Sequence, residues 1–403
     1  MRRQLVLVLL IVLFVVANTA GAYFLLPSRR SMNVWDFQPL WQAGRWIFEG
    51  RGDPYSEKMT SLLQQRSYGR PAKQGEDDRA FVYPLYVLLL MLPMLFMPLP
   101  LAQAAWFTTL EFAGVVAIVG SMRLTRRRGR PLQILLMVLW GFLLYPVVWA
   151  LALGQVSIVI GALFVVALLA LQADRGGWAG ICLALTTAKP QMSFLLVPGL
   201  LFWALSKRRY RFLVSFAAAM AVFVLLSFAA LPGWLGGVLR AGRGYFAVQP
   251  FSPPVALLGS WVGGTIGRAL TALVLALLLV TFARAWLRRR DGDPPPVWAA
   301  GLTLAITALV APRTSIVNQA SLVLPLLLLL TEMARLDRPG RQVAAVLAIA
   351  LLAAPWIVDL LWLPALNSGE HWHVQHRVLS PILPTVLLVG LSTWPWWSGE
   401  RLS

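Results

Sequence analysis

A charge at membrane depth costs at least about 2.5 to 3.5 kcal/mol on insertion scales, so a side chain carrying one usually faces a cavity or a partner. Lys189 stands in the stretch LTTAKPQMSF, where Pro190 removes a helical hydrogen bond and frees nearby carbonyls. A lysine there is a point charge suited to a phosphate in the headgroup region, or one that snorkels or pairs with an acid. Arg313 lies in LVAPRTSIVNQASLVLP, a polar break between apolar runs. Its guanidinium can grip phosphate through two parallel hydrogen bonds, while Thr314, Ser315, Asn318 and Gln319 offer the neutral hydrogen bonds that sugars need. The plainer reading of Arg313 is a solvated loop residue. In EDDRAFVYPLY, Arg79 and Tyr83 are candidates to line a site at the membrane interface, with an ordinary aromatic anchor as the alternative for the tyrosine. Gln155, in LALGQVSIV, sits between two apolar runs, where an amide either binds a sugar or joins helices.

His371, His373 and His376 share the segment GEHWHVQHRV, but carboxylate support for a metal is thin and a wet loop accounts for them, so no metal site is assigned. Asp359, Arg268 and Glu111 read as structural or interfacial charges. The chain carries no Walker loop, no Rossmann glycine fingerprint and no G-x-S-x-G elbow, which leaves ATP hydrolysis and serine-hydrolase chemistry without support.

The elements that must position these residues are apolar. Of 403 residues 59% are hydrophobic and 13% charged, a balance that excludes an ordinary soluble fold. Residues 4–28, 131–173, 212–239, 294–312 and 378–399 carry no charge, and each run is long enough for at least one helical span of roughly 20 residues. No strand-like alternation recurs, so an all-α integral membrane protein is expected. Candidate spans near 81–97, 101–122, 131–151, 157–172, 178–205, 212–231, 267–287, 296–312, 319–334, 343–363 and 378–397, with an uncleaved first span, make about twelve in one membrane domain covering 1–403. The net charge of +19 falls in short basic clusters between apolar runs. That pattern marks cytoplasmic loops facing anionic lipid, not a nucleic-acid partner. The single cysteine, Cys182, excludes an internal disulfide.

Arg2 and Arg3 place the N-terminus in the cytoplasm, so the first span delivers 27–80 to the outer face. Within this segment Phe37, Leu40, Trp41, Gly44, Ile47 and Phe48 recur at helical spacing and describe an amphipathic helix on the membrane surface. Asp36 falls at its N-cap, Pro39 in its first turn, and Gly50 ends it. The charge rule fits the chain from Lys207 onward. Around Arg123–Arg130 it does not, which calls for a re-entrant neighbour, and 178–205, interrupted at Lys189 and Pro190, reads as a kinked span or a short hairpin.

Taken in order, WDFQPLWQAGRWIFEGRGDPY, FVYPLYVLLLMLPMLFMPLPLAQAAW, LGQV, WAGICLALTTAKPQMSFLL and the PRTSIVNQASLVLP break resemble the polytopic glycosyltransferases of family 87, mannosyltransferase-like enzymes of the GT-C fold. The resemblance implies a GT-C helical bundle in the cytoplasmic membrane with its active site facing outside. It further implies an inverting hexosyltransferase that takes a mannose-like sugar from a polyprenyl-phosphate donor to a glycolipid or glycan acceptor, without a cofactor. In such enzymes an acid of the first outer segment is the catalytic base, a place Asp36 occupies, with Lys189 and Arg313 for the donor phosphate. Arg79, Tyr83, Gln155, Asn318 and Gln319 are then candidates for sugar or acceptor binding. The family often carries a histidine where Asn318 and Gln319 stand, which keeps open a catalytically inactive member. The rival of another class is a transporter or flippase of polyprenyl-linked or amphipathic substrates; no internal repeat supports it.

Overall fold

The computed structural model describes residues 13, 16–21, 23, 36–73, 76–125, 129–248, 254–287, 296–311, 314–335 and 338–362. These residues contain helices and no strand. They divide into two compact units, one drawn from 1–113, 151–159 and 221–249 and the other from 114–150, 160–220 and 250–403.

In the first unit, α1 (Phe37–Phe48) and α2 (Glu57–Tyr68) precede a 3-10 helix, Leu85–Phe96. The helical spacing read in α1 is realised, but its apolar face, Phe37, Leu40, Ala43 and Trp46, is buried in protein and leaves Phe48 exposed. Its partner is the 3-10 helix. Trp41 donates its indole N–H to the Met94 carbonyl at 3.1 Å, and Gly44 permits contact so close that a Cβ there would stand 2.5 Å from a Leu95 methyl. The expected span 81–97 is not an α-helix: Leu85–Phe96 is wound in tight 3-10 turns, broken at the non-helical Met91 and containing Pro93. Ser56 caps α2 by accepting from the Met59 amide, and Gly69 closes it in the left-handed region.

Later in the chain come α3 (Leu99–Leu124), α4 (Pro131–Leu143), α5 (Tyr145–Ala152), α6 (Ser157–Gln172), α7 (Gly176–Thr186), α8 (Pro190–Ser193), α9 (Leu196–Ser206) and α10 (Tyr210–Ala230). Next are α11 (Trp234–Val248), α12 (Pro254–Val262), α13 (Gly264–Leu287) and α14 (Val297–Val310). A second 3-10 helix, Ile316–Leu322, leads into α15 (Val323–Arg335), and α16 (Arg338–Trp362) follows.

In the second unit, α14 is buried along nearly its whole length, and Thr303 on it accepts the Trp286 indole N–H at 3.0 Å. The α4–α5 pair is held to α16 by two tryptophans, Trp140 donating to the Ala348 carbonyl at 3.0 Å and Trp356 to the Leu143 carbonyl at 3.2 Å.

Among the described residues four helical stretches are long and apolar enough to cross a membrane, Leu99–Leu124, Tyr210–Ala230, Gly264–Leu287 and Ile316–Met333, and α4 with α5, bent by 68°, makes a fifth if the pair is one broken span. This makes the chain an all-helical membrane protein. The count of about twelve does not follow by this criterion among the described residues, because apolar runs that look continuous are broken. The expected span 178–205 is three helices, α7, α8 and α9, divided at Lys189–Pro190 and again near Leu195. The run 378–397 lies outside the described residues.

Candidate active site

Asp36 immediately precedes α1, as its spacing predicts, but its side chain makes no capping hydrogen bond. The residue already has right-handed helical angles, φ −92° and ψ −15°, whereas a capping residue is ordinarily extended so that its side chain can turn back on the helix. The carboxylate is instead engaged from 119 residues away, where Gln155 Nε2 donates to Asp36 Oδ2 at 2.7 Å. The Asp36 amide donates to the Leu153 carbonyl at 2.9 Å.

The turn between α5 and α6 therefore holds both the backbone and the side chain of Asp36. This turn is itself fixed. Gly154 takes φ +67°, where a side chain would be strained, and its carbonyl accepts the Trp106 indole N–H at 2.8 Å. The Trp106 ring in turn stacks on Phe37, the residue after Asp36, with centroids 5.7 Å apart. Gln155 is only 7% exposed, while Asp36 is half-buried and remains partly open to solvent.

Arg79 reaches the same neighbourhood from the segment after α2. Its guanidinium is 2% exposed and hydrogen-bonds Ser67 Oγ through Nε at 3.1 Å. Burial pulls its pKa below the ordinary arginine value, and the negative charges of Asp77 and Asp36 oppose that fall. An aspartate turn sets the backbone here, since Asp77 Oδ1 accepts the Arg79 amide at 2.7 Å and Arg79 adopts φ +61°. Gln64 anchors the segment from α2 by donating to the Asp78 carbonyl at 2.9 Å and accepting the Ala72 amide at 3.1 Å. Tyr83 contributes its carbonyl to the Tyr55 hydroxyl at 2.8 Å, and its ring lies 6.2 Å from that of Phe81.

The first unit thus brings Asp36 and Gln155 into direct contact and sets the Arg79 charge to act on Asp36. Lys189, Asn318 and Gln319 belong to the second unit. Lys189 is 1% exposed at the break before α8, where Pro190 opens the helix and the Lys189 carbonyl accepts the Met192 amide at 3.0 Å. Asn318 donates to Thr314 Oγ1 at 3.2 Å, while its buried carbonyl oxygen has no hydrogen-bond partner among the described residues; the neighbouring Gln319 is buried in the same 3-10 helix. Arg313 and the three histidines lie outside the described residues.

Trp106 and the Leu153 carbonyl escaped sequence reading, and Phe37 was read only as part of the apolar face of α1. A tryptophan in an apolar run looks like any core residue, and a carbonyl has no sequence signature. The glycine in LGQV was the available signal, since a lone glycine between helical runs marks a special backbone angle.

Chemically, a half-buried carboxylate with one oxygen held by an uncharged donor can take a proton from a hydroxyl. A model of glycosyltransferase family 87 matches residues 81–312, more than half of the chain. Curated proteins and solved structures give no significant match.

Proposed function

The chain belongs to glycosyltransferase family 87, and from that premise we propose that it is an inverting hexosyltransferase of the cytoplasmic membrane, working on the outer face. The donor is a polyprenyl-phosphate monosaccharide with a mannose-like sugar, the acceptor a glycolipid or glycan. Asp36 is the catalytic base. It accepts the acceptor hydroxyl proton as that oxygen attacks C1 of the sugar; the bond from C1 to the phosphate oxygen breaks with its electron pair, and polyprenyl phosphate departs. Attack opposite the leaving group inverts the anomeric centre. The reaction needs no cofactor, because the phosphate is already the leaving group.

Departure of an anion calls for cations. Lys189 and Arg313 fill that role in this reading, with Arg79, Tyr83, Asn318 and Gln319 toward the sugar and acceptor. The observation that carries the reading is the Asp36 carboxylate, uncommitted to its own helix and oriented by Gln155 at 2.7 Å. A residue needed only to start α1 would cap it.

The test is turnover by the purified protein in detergent, with polyprenyl-phosphate mannose, glucose and galactose as donors and a membrane lipid extract as acceptor. Transfer from at least one donor is expected, and Asp36→Asn should lower its rate by about a hundredfold or more while donor binding persists. Full activity in Asp36→Asn refutes the base assignment. Movement of the lipid across vesicles without transfer favours the transporter reading.

A further inference from the structure

We propose that Gln155 is a positioning residue for catalysis, holding the Asp36 carboxylate in its reactive orientation; the inference rests on reading Asp36 as the base. Two ties run from one short turn to Asp36, and a third bond fixes the turn itself. Leu153 takes the Asp36 amide at 2.9 Å, Gln155 gives Nε2 to Oδ2 at 2.7 Å, and Trp106 locks the Gly154 carbonyl between them at 2.8 Å. Backbone anchoring places the residue but does not by itself set its side-chain rotamer. The Gln155 bond fixes that rotamer, and its own burial at 7% exposure keeps the amide from wandering.

The residue type suits the task. An amide N–H to an anionic oxygen is a short, charge-assisted bond. It carries no charge of its own, so it orients the carboxylate without adding a cation to it, and it cannot titrate in competition with it. Arginine or lysine at this position would hold the carboxylate as an ion pair. The payoff is geometric, since a misplacement of about 1 Å can cost on the order of a hundredfold in rate. Of the two uses the sequence leaves open for Gln155, sugar binding or joining helices, the structure assigns a third that includes the second: it joins the α5–α6 turn to Asp36 through the atom that does the chemistry.

The experiment compares wild type, Asp36→Asn, Gln155→Leu, Gln155→Glu and the double variant Asp36→Asn with Gln155→Leu, as full-length protein in detergent, on the sugar donor the wild type uses. Gln155→Leu should lose about tenfold to a hundredfold in kcat per folded molecule with the donor KM unchanged, whether or not the unfolding midpoint falls. Gln155→Glu keeps the size but not the donor group and should fall at least as far, which covers the case of a leucine variant that folds poorly. The double variant should be no slower than Asp36→Asn alone, because Gln155 acts through Asp36. Wild-type kcat in Gln155→Leu overturns the proposal, as does a raised donor KM with kcat retained, the mark of a sugar contact. A lowered midpoint with full specific activity of the folded fraction, the mark of a purely structural bond, overturns it too. Full activity in Asp36→Asn fails the base reading and this inference together; an inactive Asp36→Asn beside a fully active Gln155→Leu fails this inference alone.

Discussion

An aspartate that opens a helix and leaves its amides uncapped forgoes a contact typically worth about 0.5 to 2 kcal/mol. Asp36 does so, and the side chain spent on Gln155 is the clearest sign that its position answers to something other than helix initiation. Sequence spacing located the residue at the start of α1; nothing in it could say where the carboxylate turns, because the deciding partner is far away in the chain. A second acid of the same segment is controlled locally. Arg70 makes paired hydrogen bonds with Glu76, and the Lys73 amide adds another, which together hold the Glu76 carboxyl down to about 2 against an ordinary 4.5. Because the folded-state pKa is depressed, the contribution of this bond set is fully present above about pH 4.5 and is lost as pH falls toward about 2. Hydrogen exchange at the Lys73 amide reads it directly. Protection, corrected for intrinsic rates, should persist through the mildly acidic range and fade only toward the lower limit, and Glu76→Gln should weaken it at every pH above that limit. Protection already gone near neutral pH contradicts the assignment.

Helix boundaries separate what the sequence discloses from what it conceals. The start of α1, its proline in the first turn and its end at Gly50 were all legible, because capping and propensity act within a few residues. The break of 178–205 at Lys189–Pro190 was legible too, but the 3-10 geometry of Leu85–Phe96 and the second break near Leu195 were not, since hydropathy records how apolar a run is and not whether its hydrogen-bond ladder continues. Where helices touch, glycine decides the spacing. A Cβ on Gly180 of α7 would stand 2.6 Å from the Phe212 carbonyl oxygen and 2.7 Å from the Phe216 amide nitrogen, both backbone atoms of α10 that cannot swing aside. One turn earlier, a Cβ on Gly177 would meet Ser215 Oγ at an ordinary 3.6 Å. Gly180→Ala should therefore destabilise the protein by about 1 to 3 kcal/mol. Gly177→Ala should be neutral or slightly stabilising, through the better helix propensity of alanine. Thermal unfolding of the two variants in the same detergent checks the contrast, and equal midpoints would show that α7 and α10 are not packed this closely.

For the molecule as a whole, composition gave the class at once, because no soluble fold conceals so little charge among so many apolar residues. Its helical span count was less legible, since broken helices and long spans have the same composition. Orientation remains a matter of charge distribution, and it can be tested with a chain whose only cysteine is Cys182. In a Cys182→Ala background, cysteine at the exposed Lys58 of α2 should react with a membrane-impermeant thiol reagent added to intact cells. Cysteine at the exposed Arg211, beside a basic cluster, should react only after permeabilisation. The reverse pattern would turn the protein over in the membrane and move the proposed chemistry to the cytoplasm. The clamp on Asp36 also sets a clock on biosynthesis. The acid is made early and its anchor 119 residues later, so at about 5 to 20 residues per second the ribosome needs roughly 6 to 24 seconds to supply the turn that completes it. A nascent chain halted before Leu153 carries the acid without the means to aim it.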